Sequence, residues 1–162
     1  MQNVRPFIIA FASPKGGVGK STSCLNIAGA LCALGHNVHI IDLDQTQTLR
    51  RWFETHAETL ATKIPNLSVA THPESEFLDH LNNAFYSRTG FILVDVAGAL
   101  GQAMLNAATV AHLTITPSKL SEADITEANR LHEQLIQLGH AVEKPVLHRI
   151  LIVPHRFIKL AV

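Results

Sequence analysis

The chain has 162 residues, 47% of them hydrophobic and 16% charged, with thirteen basic and thirteen acidic side chains and no net charge. That length and apolar content suit one α/β domain with a substantial core, and the balanced charge excludes a global electrostatic attraction to nucleic acid, so any such surface is local. No apolar run approaches 18 residues and no charged-then-apolar leader opens the chain, so neither a membrane span nor a secretion signal is expected.

In chain order, Phe7-Ile-Ile-Ala-Phe-Ala12 predicts a buried strand that runs straight into Pro14-Lys-Gly-Gly-Val-Gly-Lys-Ser-Thr22 and then a helix. A strand, a glycine-rich turn and a helix in that order make a phosphate cradle. Gly16, Gly17 and Gly19 let the backbone curl with its N–H groups inward, Lys20 puts a cation on the β- and γ-phosphates, and the Ser21 hydroxyl can ligate Mg²⁺. The helix that follows adds the positive end of its dipole to the same anion. The expected nucleotide contacts within the loop are therefore Gly16, Gly17, Val18, Gly19, Lys20, Ser21 and Thr22.

The helix predicted over 20–34 is apolar around most of its girth and should lie against the sheet, ended by Gly35. It carries Cys24 and Cys32, eight apart and without metal-type spacing, which read as reduced core thiols of a cytoplasmic protein. Val38 to Leu43 is a second strand leading into Asp42-Leu-Asp44, and Thr46 to about Thr59 reads as one helix. After Pro65 come a weak strand over Leu67 to Ala70 and an amphipathic helix over Glu74 to Tyr86. Phe91 to Asp95 is a third core strand, Ala99 to Val110 a helix, and Leu113 to Thr116 a strand stopped by Pro117. Ser121 to Leu138 is a helix with Ser121 and Asp124 in its first turn and Gly139 at its end, and Ile150 to Val153 is the last strand. The alternation predicts a mostly parallel sheet flanked by helices.

Asp42, Asp44 and Asp95 all fall at the carboxyl ends of predicted strands, where open α/β sheets bind ligands. Asp95 precedes Val96-Ala97-Gly98, so its carboxylate can hold Mg²⁺ through a water while the Gly98 N–H approaches the γ-phosphate.

The doubled lysine of Lys15-Gly-Gly-Val-Gly-Lys-Ser-Thr22, with Pro14 where the usual motif has its first glycine, is the deviant Walker A loop and resembles the ParA/MinD family of ATPases. The resemblance runs from Phe7 to about Arg156. It implies a three-layer P-loop NTPase fold, binding of ATP with Mg²⁺, and a homodimer in which Lys15 reaches into the partner's nucleotide site. It also implies that Asp44, the second acid of the D-x-D motif, activates the attacking water, while Asp42 lies near the Mg²⁺ shell with Ser21 and Asp95 as metal residues. Pro154 and His155 occupy the place where family members contact the purine. Gln45 stands where the family commonly has proline, and Arg50-Arg51-Trp52 looks closer to the VirC branch than to MinD. The whole chain, 1–162, then reads as a single ATPase domain, shorter than the family by a C-terminal strand and helix. Catalysis would rest on Lys15, Lys20 and Asp44, and hydrolysis would act as a timer for dimers that hold non-specific DNA and answer to a partition or adaptor protein.

Outside that site, Lys144, His148, Arg149, His155, Arg156 and Lys159 follow the last acidic residue and make a candidate phosphate-backbone surface. Arg50 and Arg51 could also bind phosphate, with Trp52 and Phe53 in the core or at a dimer interface. The ten histidines lack a paired spacing of four, so no transition-metal site is expected. The alternatives are a P-loop ligase of the dethiobiotin-synthetase type, for which no substrate pocket residues stand out, a MinD-like ATPase attached to a membrane through the segment from Arg156 to Val162, and a nucleotide switch without effective turnover. An iron protein of the nitrogenase type is excluded because no cysteine follows Asp95.

Overall fold

The computed structural model describes residues 5–98 and 101–153. Strands that are buried on both faces read as continuous apolar runs, and successive side chains in such a strand point to opposite sides. Six of them form one sheet: β1 (Phe7–Phe11), β2 (Val38–Asp42), β3 (Leu67–Thr71), β4 (Phe91–Asp95), β5 (Leu113–Ser118) and β6 (His148–Ile152), in the order β3-β2-β4-β1-β5-β6. Every neighbouring pair is parallel.

Among the described residues the helices are α1 (Lys20–Ala33), α2 (Thr48–Thr55), α3 (Ala57–Lys63), α4 (Phe77–Ser87), α5 (Gln102–Val110) and α6 (Glu122–Ala141). They divide between the two faces of the sheet. Ile8, Ala10, Ile92 and Val94 pack with Phe77 and Leu81 of α4, Met104 of α5 and Leu131 and Leu135 of α6. Ile9, Phe11, Ile40 and Leu93 point the other way, onto Cys24, Leu25 and Ala28 of α1 and Leu49 of α2. The result is the three-layer arrangement expected from the alternation.

Several boundaries differ from the sequence expectation for identifiable reasons. The helix expected over 46–59 is two helices divided at His56, whose φ of −110° and ψ of 14° leave the helical region and whose N–H is shared between the Trp52 and Phe53 carbonyls at 3.2 Å each. Pro117 does not stop β5. The Ile115 carbonyl faces β1, and the Thr114 N–H and Ser118 carbonyl face β6, so alternation turns Pro117 toward the side where the β1 ladder has already ended. Its missing N–H costs nothing there.

Gly139 lies inside α6, which runs on to Ala141. A Cβ at Gly139 would stand 2.9 Å from the Lys144 carbonyl oxygen and 3.1 Å from the Val146 nitrogen. The glycine serves the close return of the chain onto the helix, and does not cap it. Gly35, with φ of 86°, does end α1 as expected. Ser121 also caps α6, its Oγ accepting the Asp124 N–H.

Candidate nucleotide site

Register brings the acidic strand ends together. Phe11 of β1 pairs with Asp95 of β4, and Asp95 pairs with Asp42 of β2, so both carboxylates stand in one row at the carboxyl edge of the sheet. From β1 the chain passes through 12–19 and turns into α1 at Gly19, whose φ of 96° is in the left-handed region that glycine tolerates. No side chain caps that end of α1, so its first N–H groups and the positive end of its dipole face the loop. Val18 is buried and anchors the loop, while Lys15, Gly16 and Gly17 are exposed.

Lys20 lies under this loop, only 7% exposed, with its Nζ 3.3 Å from the Lys15 carbonyl oxygen. Burial lowers its pKa, and Asp95 and then Asp44 pull it back up. Gly98 reaches the same point. A Cβ there would stand 3.1 Å from Lys20 Nζ and 3.3 Å from the Gly16 Cα and nitrogen, so only glycine brings the segment after β4 this close to the cradle.

Asp95 is 1% exposed and neither of its carboxylate oxygens makes a well-formed hydrogen bond, although the Ser21 hydroxyl lies close enough to favour the charged form. Burial pushes its pKa up to about 7, with Asp42 and Asp44 adding to the rise and Ser21 and Lys20 opposing it. A buried carboxylate without donors is a costly arrangement unless a cation completes it. The pair of Asp95 oxygens beside the Ser21 hydroxyl therefore fits a hard, oxygen-loving divalent ion such as Mg²⁺.

Asp42 looks the same in sequence but differs in kind. Its Oδ1 accepts from the Asp44 N–H at 3.0 Å, and its Oδ2 from the N–H groups of Leu49 and Arg50 at 3.1 and 3.2 Å. It organises the turn and the first residues of α2, where an acid also suits the helix dipole. Burial still raises its pKa, against those three backbone bonds. Asp44 is half-buried on the turn, and both bonds from Thr46, N–H at 2.9 Å and Oγ1 at 2.8 Å, fall on its Oδ1. Among the described residues its Oδ2 makes none.

Lys15 is bound within its own chain. Its ammonium pairs with Asp124 at the start of α6, which also accepts from Ser121 Oγ at 2.7 Å. The Lys15 bond, then the Ser121 bond, hold the Asp124 pKa below the usual carboxylate value.

The remaining expected residues divide. Pro154, His155, Arg156 and Lys159 lie outside the described residues; Val153 stands beside Gly19, 3.9 Å from where a Cβ would be. His148 is not a phosphate contact. It is 3% exposed, bonded to Thr116 Oγ1 and His132 Nδ1 at 2.8 Å each, and held at a pKa of about 4 by burial, then by His132 and Arg149. Arg50 is engaged by Glu54 and the Val69 carbonyl, Arg51 by the Thr46 carbonyl, and Trp52 and Phe53 pack on the core. The histidines also form one cluster that their own spacing does not announce. His72, Glu76 and His80 come together, a spacing of four and four that a search for paired histidines overlooks because a glutamate stands between them.

No helix among the described residues is long and apolar enough to cross a membrane. The family model of the ATPase MipZ matches residues 7–131. Protein virC1 of Rhizobium radiobacter is 31% identical over 134 residues, covering 81% of this chain and 57% of that protein. Protein ParA of the same organism is 24% identical over 143 residues, 88% of this chain and 62% of its own. The chain thus spans little more than half the length of the curated relatives it matches. A putative plasmid partition protein of Borrelia burgdorferi B31, crystallised with AMPPNP, superposes with a TM-score of 0.72 at 21% identity, over 91% of this chain and 76% of that one.

Proposed function

The chain belongs to the MipZ/ParA family of P-loop ATPases, and from that premise we propose that it binds ATP with Mg²⁺, hydrolyses it, and works as an ATP-dependent homodimer on non-specific DNA under the control of a partition or adaptor protein. The observation that carries the reading is Asp95: a buried carboxylate with both oxygens unpartnered, beside Lys20 and in register with Asp42 at the mouth of the glycine-rich loop. A cation bound with the triphosphate would resolve that cost.

In this reading the backbone N–H groups of 16–22 and the Lys20 ammonium bind the phosphates and offset the charge that grows on the transferring group. Ser21 and, through water, Asp95 would hold Mg²⁺, which supplies further neutralisation there. Gly98 lets its own N–H approach the γ-phosphate. Asp44 orients a water with its free Oδ2 for in-line attack; the water oxygen bonds to phosphorus as the bond to the bridging oxygen breaks, ADP leaves with that electron pair, and the water's proton passes to Asp44 Oδ2. Asp42 holds the Asp44 turn in place. A cross-subunit role for Lys15 requires it to exchange Asp124 for the partner's nucleotide, so the ion pair with Asp124 keeps that lysine occupied until a second copy arrives. The free, buried Cys24 and Cys32 suit a reducing cytoplasm.

Sedimentation with ATP or a non-hydrolysable analogue, with and without duplex DNA and across salt concentration, tests the reading. The dimer should appear only with nucleotide, bind DNA more weakly as salt rises, and persist in Asp44→Ala, which binds but does not hydrolyse ATP. A chain that fails to bind ATP, or a Lys20→Ala variant that binds it as tightly as wild type, overturns it.

A further inference from the structure

The junction of β3 and α4 carries a group of side chains with no part in the chemistry above. His72 follows the last residue of β3, Glu76 ends a single 3₁₀ turn (Glu74–Glu76), and His80 lies in the first turn of α4. Spacings of four residues put Glu76 and His80 on one helical face, and the turn folds His72 back over them. One ligand atom from each lies within 4.8 Å of the others. His80 Nε2 and Glu76 Oε2 are 3.3 Å apart, and the two imidazoles are stacked with centroids 3.2 Å apart and planes 16° from parallel.

Those distances are chemically specific. Zinc bonds to nitrogen and oxygen of about 2.0–2.2 Å in tetrahedral geometry place two ligand atoms about 3.4 Å apart. The observed Glu76–His80 separation matches that value. His72 makes no hydrogen bond among the described residues, so its ring nitrogens are free to ligate. The neighbouring Phe77 is fully buried and fixes the start of α4 to the core.

We propose that His72, Glu76 and His80 bind a divalent transition ion of the zinc class, with the remaining coordination position open to water. Two imidazoles and a carboxylate form a borderline donor set that suits Zn²⁺ or Co²⁺, whereas Mg²⁺ prefers oxygens alone and belongs at Asp95. The place of the site gives it a consequence. Thr71 and His72 line one wall of a cleft of about 280 Å³ whose other wall includes Asp44, Gln45 and Gln47. An ion held there tethers the end of β3 to α4 and stiffens the wall facing the Asp44 turn.

The test is calorimetric titration of ZnCl₂ into chelator-stripped protein in excess Mg²⁺, which saturates the hard-oxygen site. One Zn²⁺ should bind with micromolar or tighter affinity, and Co²⁺ should give the intense visible absorption of a four-coordinate or five-coordinate centre. His72→Ala and His80→Ala should each weaken binding at least about tenfold, since even supporting residues of metal sites carry effects of that size. His132→Ala, at the other close histidine pair, should bind as wild type does. Where an alanine variant loses its circular dichroism spectrum, His72→Asn and His80→Gln replace it. Absence of wild-type binding below about 100 μM, or unchanged affinity in folded variants of both histidines, overturns the site.

Discussion

Replacing Asp95 by asparagine should stabilise the nucleotide-free chain increasingly as pH rises, while destroying its hold on metal-bound ATP. Folding moves this carboxyl from 3.8 up to about 7, mainly by burial. Between those values the native state keeps a proton that the unfolded chain releases, so stability falls as pH rises from about 4 to about 7 and then levels off. A rise of that size costs about 4 kcal/mol at pH 7, of which about 2 kcal/mol is already present at pH 5. Asparagine escapes this pH-dependent part. Its buried amide still lacks partners, which costs about 1–3 kcal/mol at either pH, and the attraction to Lys20 is lost. The expected signal is therefore a difference: the stability of the variant relative to wild type should improve by about 2 kcal/mol between pH 5 and pH 7. Urea unfolding of chelator-treated protein at both pH values measures it, and the titrations of His39 and His148 cancel because they occur in both proteins. A variant whose relative stability is the same at pH 5 and pH 7, or worsens, would refute the claim that an unpartnered carboxylate sits in the site.

Gly98→Ala should leave the fold intact and weaken nucleotide binding about tenfold, because the new Cβ meets the Gly16 backbone at 3.3 Å as well as the mobile Lys20 head; wild-type affinity by titration would remove Gly98 from the cradle. Lys15→Ala should bind ATP as a monomer in light scattering, and a nucleotide-dependent dimer in that variant would defeat the exchange of Asp124 for a partner's phosphate. His148 is held neutral at about 4 against an ordinary 6.5, so its contribution is complete above pH 6.5 and is lost as pH falls toward 4, by at most about 3 kcal/mol. His148→Gln should flatten that acid loss in urea unfolding between pH 7 and pH 4.5, and equal losses in both proteins would contradict it.

The order of strands and helices was legible because the central strands β1, β2 and β4 are mostly apolar and buried on both faces, and most helices carry their own periodicity. The misread boundaries share a cause. Pro117 and Gly139 act through what packs beside them, whereas their residue types speak only for an isolated element. Pro117 is harmless because β1 ends beside it, and Gly139 is needed because residues 144–146 return onto α6. β1 is distant from Pro117 in sequence, and the tight return of residues 144–146 onto Gly139 is a contact that a helix-end rule does not report. The division at His56 is local, a change of backbone angle at which one N–H is shared between two carbonyls.

The site divides along the same line. The glycine-rich loop was legible because its chemistry is contiguous, whereas the aspartates at strand ends were equivalent until the path of the chain after each was known. After Asp42 the chain turns back so that three amides reach its carboxylate, and a carboxylate so bonded has a structural task. After Asp95 it runs through Val96-Ala97-Gly98 against Lys20 and offers the carboxylate no donor. Two acids in adjacent register thus separate into one that backbone amides hold in place and one that is buried, left without a backbone donor and suited to a cation. The cost of function falls on the second of them: burial penalises an acid at 95 at neutral pH, and the proposed metal-bound nucleotide would offset that penalty.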